Sequence, residues 1–147
     1  MNDELFVRDL MTPHVITLEA DDNLDLADMI MRTARIRHLP VVSQGKLVGL
    51  VTHRDLLKAS VSSIVRVPEK DEVAFRQRIR ARQIMTTDIL VAKTDETALS
   101  AARQLAEKRV GCLIVIHDDE TLAGIITESD FLQLAIKALE SIEDEQA

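Results

Sequence analysis

The residue types that invite a chemical reading sit in one short motif that occurs twice. Its copies are Gly49-Leu50-Val51-Thr52-His53-Arg54-Asp55 and Gly124-Ile125-Ile126-Thr127-Glu128-Ser129-Asp130. In both, aliphatic and β-branched residues give way to polar ones, the signature of a strand running into a helix. A glycine at this place lets another group come close to the backbone. The threonine falls at the helix N-cap, beside unpaired N–H groups and the positive end of the helix dipole, a seat for an anion. An aspartate three residues on has the lone pairs to accept both hydroxyls of a ribose diol. The same Thr-x-x-Asp spacing is equally a capping box, which closes a helix start with no ligand at all. Spacing by itself leaves both open.

Positioning these groups falls to a longer repeat, of which the motif is the end. With Met11-Thr12 set over Met85-Thr86, the two halves align at an offset of 74. Arg8 falls on Arg82, Val15-Ile16 on Ile89-Leu90, Asp21 on Asp95, Ala27 on Ala101, and Leu39 to Val42 on Leu113 to Ile116. One extra residue in the second turn, at Asp118-Asp119-Glu120 against Gln44-Gly45, moves the offset to 75 and brings the motifs into register. Each copy predicts the order β-α-β-β-α. A short strand, Val15 to Leu18, leads to a helix that Asp21 or Asp22 is placed to cap. The helix's apolar positions Leu24, Ala27, Ile30, Met31 and Ala34 share one face. In the second copy Ala98, Ala101, Ala102 and Leu105 do the same, with Asp95 before them. Two β-branched runs, Leu39 to Val42 and Leu47 to Val51, joined across Ser43-Gln44-Gly45-Lys46, read as a hairpin. The final helices start at about His53 and Glu128.

One such unit leaves a side of its small sheet uncovered, so both copies are expected in one α+β module with pseudo-twofold symmetry. The expected organisation is a first repeat over residues 1–59, a linker over 60–80, and a second repeat with an acidic tail over 81–147. Pro68 before Glu69-Lys70-Asp71-Glu72 predicts that the linker is helical.

Composition narrows the function. The chain has 147 residues, 46% apolar, enough for a packed core. It carries three Phe and neither Trp nor Tyr, which excludes an aromatic platform for stacking bases and an aromatic cage for quaternary amines. A net charge of −7 argues against a nucleic-acid polymer. A single cysteine, Cys112, permits no internal disulfide and no cysteine-based zinc site, in keeping with a reducing cytoplasm. No apolar run has the length of a membrane span, and the N-terminus lacks an apolar signal core, so export is not expected and the chain reads as cytoplasmic. It reads as a complete small protein or as a module cut from a larger one.

The β-α-β-β-α repeat, the opening Arg8-Asp9-Leu10-Met11-Thr12-Pro13, the run His38-Leu39-Pro40-Val41-Val42 and the closing Gly-x-x-Thr-x-x-Asp of each copy carry a family likeness. Together they resemble a tandem pair of CBS (cystathionine β-synthase) domains, the Bateman module, over Val7 to Leu134. The resemblance implies two clefts between the repeats, an adenosyl ligand (AMP, ADP, ATP or S-adenosylmethionine), and pairing into a homodimer. It implies a regulatory sensor acting on an effector protein rather than an enzyme. Thr52 and Asp55 would then meet phosphate and ribose, with Arg37, His38 and Arg54 as further donors. Adenine would lie among Leu50, Thr86, Ile89 and Val110. The other cleft would use Thr127 and Asp130 with Thr12, Val15, Ile36 and Ile125.

The two clefts are not equal in charge. Arg37, His38, His53 and Arg54 surround the first anion position, where the second copy has Gly111, Cys112, Glu128 and Ser129. The first is therefore expected to be the better phosphate site, and the second weaker, empty, or selective for something less charged. Clustered basic groups also discriminate against the alternative of a ligand-free dimerisation module, because capping has no use for them.

Other features weigh less. Arg76, Arg78, Arg80 and Arg82 read as a solvated connector or as partners of the acidic tail. Met29, Met31 and Met85 read as core filler. His14, His38, His53 and His117 lack metal-ligand spacing, and Cys112 with His117, five apart on a strand, would point to opposite faces.

Overall fold

The computed structural model describes residues 4–64, 74 and 76–147. In chain order its strands are β1 (Thr12–Pro13), β2 (Leu18–Glu19), β3 (His38–Ser43), β4 (Lys46–Thr52), β5 (Val91–Lys93), β6 (Cys112–Ile116) and β7 (Leu122–Thr127). The chain divides into two compact units. Val15–Ile89 forms one, the Thr52 unit; the residues up to His14 with Leu90–Ala147 form the other, the Thr127 unit. The fold is α+β, and both units show the β-α-β-β-α order.

In the Thr52 unit a three-stranded sheet runs β2-β3-β4, with β2 parallel and β4 antiparallel to β3. Its hairpin turns through Gln44 (φ 51°) and Gly45 (φ 78°), two successive left-handed residues that match the twist of paired strands. The helix Leu24–Ala34 buries Leu24, Ala27 and Met31 against Leu39, Val41 and Val51. Ala34, expected on that face, is exposed in the last turn. Arg35 then ends the helix in the left-handed conformation (φ 55°), its N–H reaching the Met31 carbonyl.

The Thr127 unit repeats the plan with one strand more, in the order β1-β7-β6-β5. The helix Ala98–Lys108 buries Ala98, Ala101 and Leu105, and Arg109 (φ 54°) ends it as Arg35 ends its counterpart. The β6–β7 turn is closed by Asp119, whose Oδ1 accepts from the Thr121 hydroxyl at 2.6 Å and its N–H at 3.1 Å. The hydroxyl bond first, then the N–H, holds the Asp119 carboxyl below its ordinary value.

Three local expectations are corrected. The helix cap is neither Asp21 nor Asp22 but Asn23, whose side chain accepts from the Leu26 N–H at 2.9 Å. Asp22 Oδ2 is engaged by the Glu19 N–H at 2.8 Å, closing the turn before the helix. In the second copy Thr97, not Asp95, caps, accepting from the Ser100 N–H at 3.1 Å. The strand expected over Val15 to Leu18 is Leu18–Glu19. Proline at 13 has no N–H with which to extend β1, His14 (φ 56°) turns the chain, and pairing resumes only at Leu18 opposite Val41. Of the helix expected over 60–80, residues 60–64 continue the helix His53–Ile64 and residues 74 and 76–78 are helical. Residues 65–73 and 75 lie outside the described residues.

Each copy lends its opening segment to the unit built from the body of the other. The short helix Val7–Leu10 docks in the Thr127 unit, where Val7 is fully buried and its N–H donates to the Glu96 carbonyl at 2.8 Å. The helix Ala81–Ile84 docks in the Thr52 unit in the same way, with Ala81 fully buried and its N–H on the Asp22 carbonyl at 2.7 Å. These two hooks carry Met11-Thr12 and Met85-Thr86 onto the sheets.

Candidate functional site

In the Thr52 unit, β4 runs without a break into the helix His53–Ile64, and the capping box forms there. The Thr52 N–H donates to Asp55 Oδ2 at 2.8 Å, and the Asp55 N–H donates to Thr52 Oγ1 at 3.2 Å. The antiparallel register sets His38 opposite Thr52, and the His53 N–H donates to the Arg37 carbonyl at 2.9 Å. Strand pairing therefore brings together, at one helix start, residues that lie fourteen or more apart in sequence. Arg37, His53 and Arg54 are exposed there, while Thr52 and Asp55 are half-buried.

The hook completes the arrangement. Leu50 and Thr86 exchange both backbone hydrogen bonds, at 2.9 and 2.8 Å. Gly49 makes room for this: a Cβ on it would fall 2.8 Å from Met85 Cγ and 3.0 Å from Met85 Cβ. Met85 is thus the filler expected, and it also seats Thr86 on the strand, a role invisible without knowing which residue faces the glycine. Ile89 is the last, half-buried residue of this unit. Val110 lies in the other unit, packed against the core of that one.

The Thr127 unit repeats the first of these cap bonds and differs in the second. The Thr127 N–H donates to Asp130 Oδ2 at 2.8 Å, and the Thr127 hydroxyl lies 3.4 Å from the same oxygen. Cys112 is opposite Thr127, and the Glu128 N–H donates to the Gly111 carbonyl at 3.2 Å. Thr12 pairs with Ile125, across a Gly124 whose Cβ would fall 2.5 Å from the Thr12 carbonyl oxygen. Val15 and Ile36 belong to the Thr52 unit. The two helix starts share a backbone and differ in charge: two arginines and two histidines against one glutamate.

Cys112 is 7% exposed, and burial pushes its thiol from 9.0 up to about 12, so it is a packed core group and not a nucleophile. The folded state holds this proton more tightly than the unfolded chain. Its contribution to stability is therefore full below pH 9 and is lost as pH rises from about 9 toward about 12. Urea unfolding should show a loss on the order of 1 kcal/mol from this group at pH 10, and Cys112→Ala should flatten that slope. A slope unchanged by the substitution would assign it elsewhere.

The arginine row has partners other than those expected. Arg80 Nη1 donates to the Asp21 carbonyl at 2.7 Å, Arg82 pairs with the Asp21 carboxylate, and Arg76 lies 3.8 Å from Asp25. These acids flank the start of the helix Leu24–Ala34; the tail is not involved among the described residues. Arg8, the counterpart of Arg82, instead stacks over the Phe6 ring at 4.4 Å. A cavity of about 410 Å³ in the Thr127 unit, lined by Leu5, Ala98, Leu99, Ala102, Phe131 and Leu134 among others, contains none of the candidate residues. Among the described residues no three His, Cys, Asp or Glu come together as metal ligands. No described helix is long and apolar enough to cross a membrane.

Comparison with known proteins places this geometry. A Vibrio cholerae protein named for acetoin utilization superposes with a TM-score of 0.79 at 32% identity, over 96% of this chain and 97% of that one. The CBS domain pair of the protein MJ0100, solved with 5′-methylthioadenosine and S-adenosyl-L-methionine, gives 0.76 at 25% identity, over 92% and 98%. The protein CBSX2, solved with AMP, gives 0.76 at 25%, over 91% and 98%. A homoserine O-acetyltransferase of Methanococcoides burtonii is 33% identical over 87% of this chain, which spans only 24% of that enzyme's length. The family model of the CBS domain matches twice, at residues 7–62 and 81–137, over most of the chain. The chain belongs to the CBS domain family, as a tandem pair.

Proposed function

We propose that this CBS pair is a regulatory module that binds an adenosyl nucleotide, AMP-like in its phosphate, and biases a partner protein rather than catalysing a reaction. The observation that carries this is the convergence of Arg37, His38, His53 and Arg54 on the Thr52–Asp55 helix start. A capping box has no need of clustered cations, whereas a 5′-phosphate does. The formed cap does not compete with the ligand: it engages Asp55 through Oδ2, and a carboxylate has about four acceptor positions, enough for a ribose diol as well. Thr52 with the basic groups takes the phosphate. Leu50, Thr86 and Ile89 supply the base side within the Thr52 unit, with backbone polar groups for the adenine edge. Thr127 and Asp130, with Thr12 and Ile125, form the corresponding set within the Thr127 unit. Neighbours solved with AMP, 5′-methylthioadenosine and S-adenosylmethionine support the adenosyl class.

A second reading, a ligand-free dimerisation module, is favoured by one observation. The helix Glu128–Gln146 has no buried residue and exposes Leu132, Ile136, Leu139 and Ile142 along one side. That stripe suits a second copy of the chain, and a homodimer is part of the proposal under either reading.

Thermal unfolding with AMP, ADP, ATP and S-adenosylmethionine separates the two. A ligand at 100 times its Kd adds about 2.7 kcal/mol. Asp55→Asn keeps an acceptor for the Thr52 N–H and should hold the unliganded Tm while abolishing the AMP shift. Asp55→Ala should lose the shift and about 1 kcal/mol of cap besides. If no nucleotide moves the Tm of a chain that light scattering shows to be dimeric, the second reading stands.

A further inference from the structure

The helix Glu128–Gln146 outruns the domain it belongs to. The match to the CBS domain ends at residue 137, and the helix runs on to Gln146. From Ala135 onward every residue is exposed, and no residue of the helix is buried by the rest of the described chain. This end is nevertheless not uniformly polar. Leu139 and Ile142 are 59% and 50% exposed, and they extend the row begun by Leu132 and Ile136 at spacings of three and four. A free helix of so few turns is marginal in water; helices of this length keep their form by packing an apolar face.

The charges on the same turns are nearly all of one sign. Lys137 is the one cation of the helix, and beyond it come Glu140, Glu143, Asp144 and Glu145. Glu140 stands three residues from Glu143 and four from Asp144, spacings at which like charges repel along a helix. All four lie toward the C-terminal end, where the helix dipole is negative and disfavours carboxylates, and the last turn has no basic residue to offset them. Glu143 falls four residues after Leu139, in the apolar row itself. These turns are therefore held at an electrostatic cost that cations from outside would remove.

A second copy does not supply those cations. Paired in parallel, two such ends would set the four carboxylates against their own counterparts; paired antiparallel, against Glu128 and Asp130 at the start of the other helix. Leu132 and Ile136, within the matched domain, remain open to a second copy, but the turns beyond Lys137 turn one away. We propose that residues 138–146 are a docking helix for a basic amphipathic helix of another protein. Its aliphatic residues, three and four apart, cover Leu139 and Ile142, and its flanking lysines or arginines pair with Glu140, Glu143, Asp144 and Glu145. This supplies the partner that the regulatory reading calls for, and rests on that reading only there, since docking needs no nucleotide. An anionic lipid surface or a nucleic acid is repelled by the same carboxylates.

The probe is a labelled synthetic peptide of about five helical turns, with leucine at every third and fourth position and lysine at most others. Fluorescence anisotropy with the full chain and no nucleotide should show binding about tenfold tighter than to a peptide of the same composition with its leucines scattered. A third peptide, with glutamate for lysine, should not bind. Leu139→Ser with Ile142→Ser should weaken the patterned peptide about tenfold. Glu140→Lys with Glu143→Lys and Asp144→Lys should transfer the preference to the glutamate peptide. All five side chains are exposed, so each variant should keep the Tm of the unaltered chain. Equal binding of the patterned and scattered peptides would reduce the surface to unspecific charge and overturn the proposal, as would serine variants that bind undiminished. Failure to bind the patterned peptide would overturn it too, and loss of the dimer in the serine variant would then make a second copy the occupant. None of these outcomes touches the nucleotide reading, and a nucleotide titration that fails leaves the docking helix standing.

Discussion

Gly124→Ala should destabilise the protein by about 3 kcal/mol, and Gly49→Ala by only about 1 kcal/mol, although the glycines are equivalent in the repeat. The difference lies in what a new methyl group would meet. At Gly124 it falls 2.5 Å from the carbonyl oxygen of Thr12, a backbone atom held by the pairing of β1 with β7. Relief requires moving the strand, and with it the hook whose Val7 is fully buried. At Gly49 the new atom meets the Met85 side chain, with Cγ at 2.8 Å. A methionine can rotate away, at the cost of some packing. For a chain of this length the Gly124 substitution should lower Tm by about 10 °C. A double-mutant cycle sharpens the test: Met85→Ala should relieve Gly49→Ala, and Met11→Ala should do little for Gly124→Ala, because the nearest atom there is backbone. Equal costs at the two glycines would mean that close approach of the hook is not what they are for.

Replacing Arg37 and Arg54 together by alanine should weaken AMP about 100-fold, equivalent to about 2.7 kcal/mol. The unliganded stability should change by less than about 0.5 kcal/mol. Both arginine side chains are exposed, and the capping bonds at the helix start run between Thr52 and Asp55. Affinity in the unaltered chain should also fall with added salt, and the double variant should lose most of that dependence. Calorimetry at two ionic strengths reads both effects. An AMP affinity indifferent to the arginines would remove the observation on which the proposed function rests.

How much of this was legible beforehand follows from the range of each interaction. The starts of both final helices, at His53 and Glu128, came directly from the spacing, because a capping box links residues three apart and strand gives way to helix at the same place. Both hairpins were equally plain. The cap of the helix Leu24–Ala34 was misassigned within two residues. Asp21, Asp22 and Asn23 are all good caps, and the choice was made by the Glu19 N–H and Arg82, which engage Asp22 and Asp21 respectively. The shortened β2 was likewise not local, since it depends on where Val41 and Val42 stand to receive it. At the candidate site, Thr52, Asp55, Arg37, His38 and Arg54 are readable from the sequence, whereas the register that sets His38 opposite Thr52 and the Arg37 carbonyl on the His53 N–H comes from the folded sheet. Met85 reads only as filler in the sequence, since nothing in a methionine's type says which glycine it will cover.

The sequence by itself determined the duplicated β-α-β-β-α plan, the two capping boxes and the contrast in charge between them. All three rest on residue types and on hydrogen bonds that close within one turn. The tertiary structure alone decided that each opening segment joins the unit built from the other copy, and that Gly49 and Gly124 exist to receive it. It also gave the arginine row Asp21 and Asp25 as partners instead of the tail. Those pairings join groups dozens of residues apart, and they are selected by burial of Val7 and Ala81 and by backbone hydrogen bonds, which any sequence of suitable size and shape would satisfy.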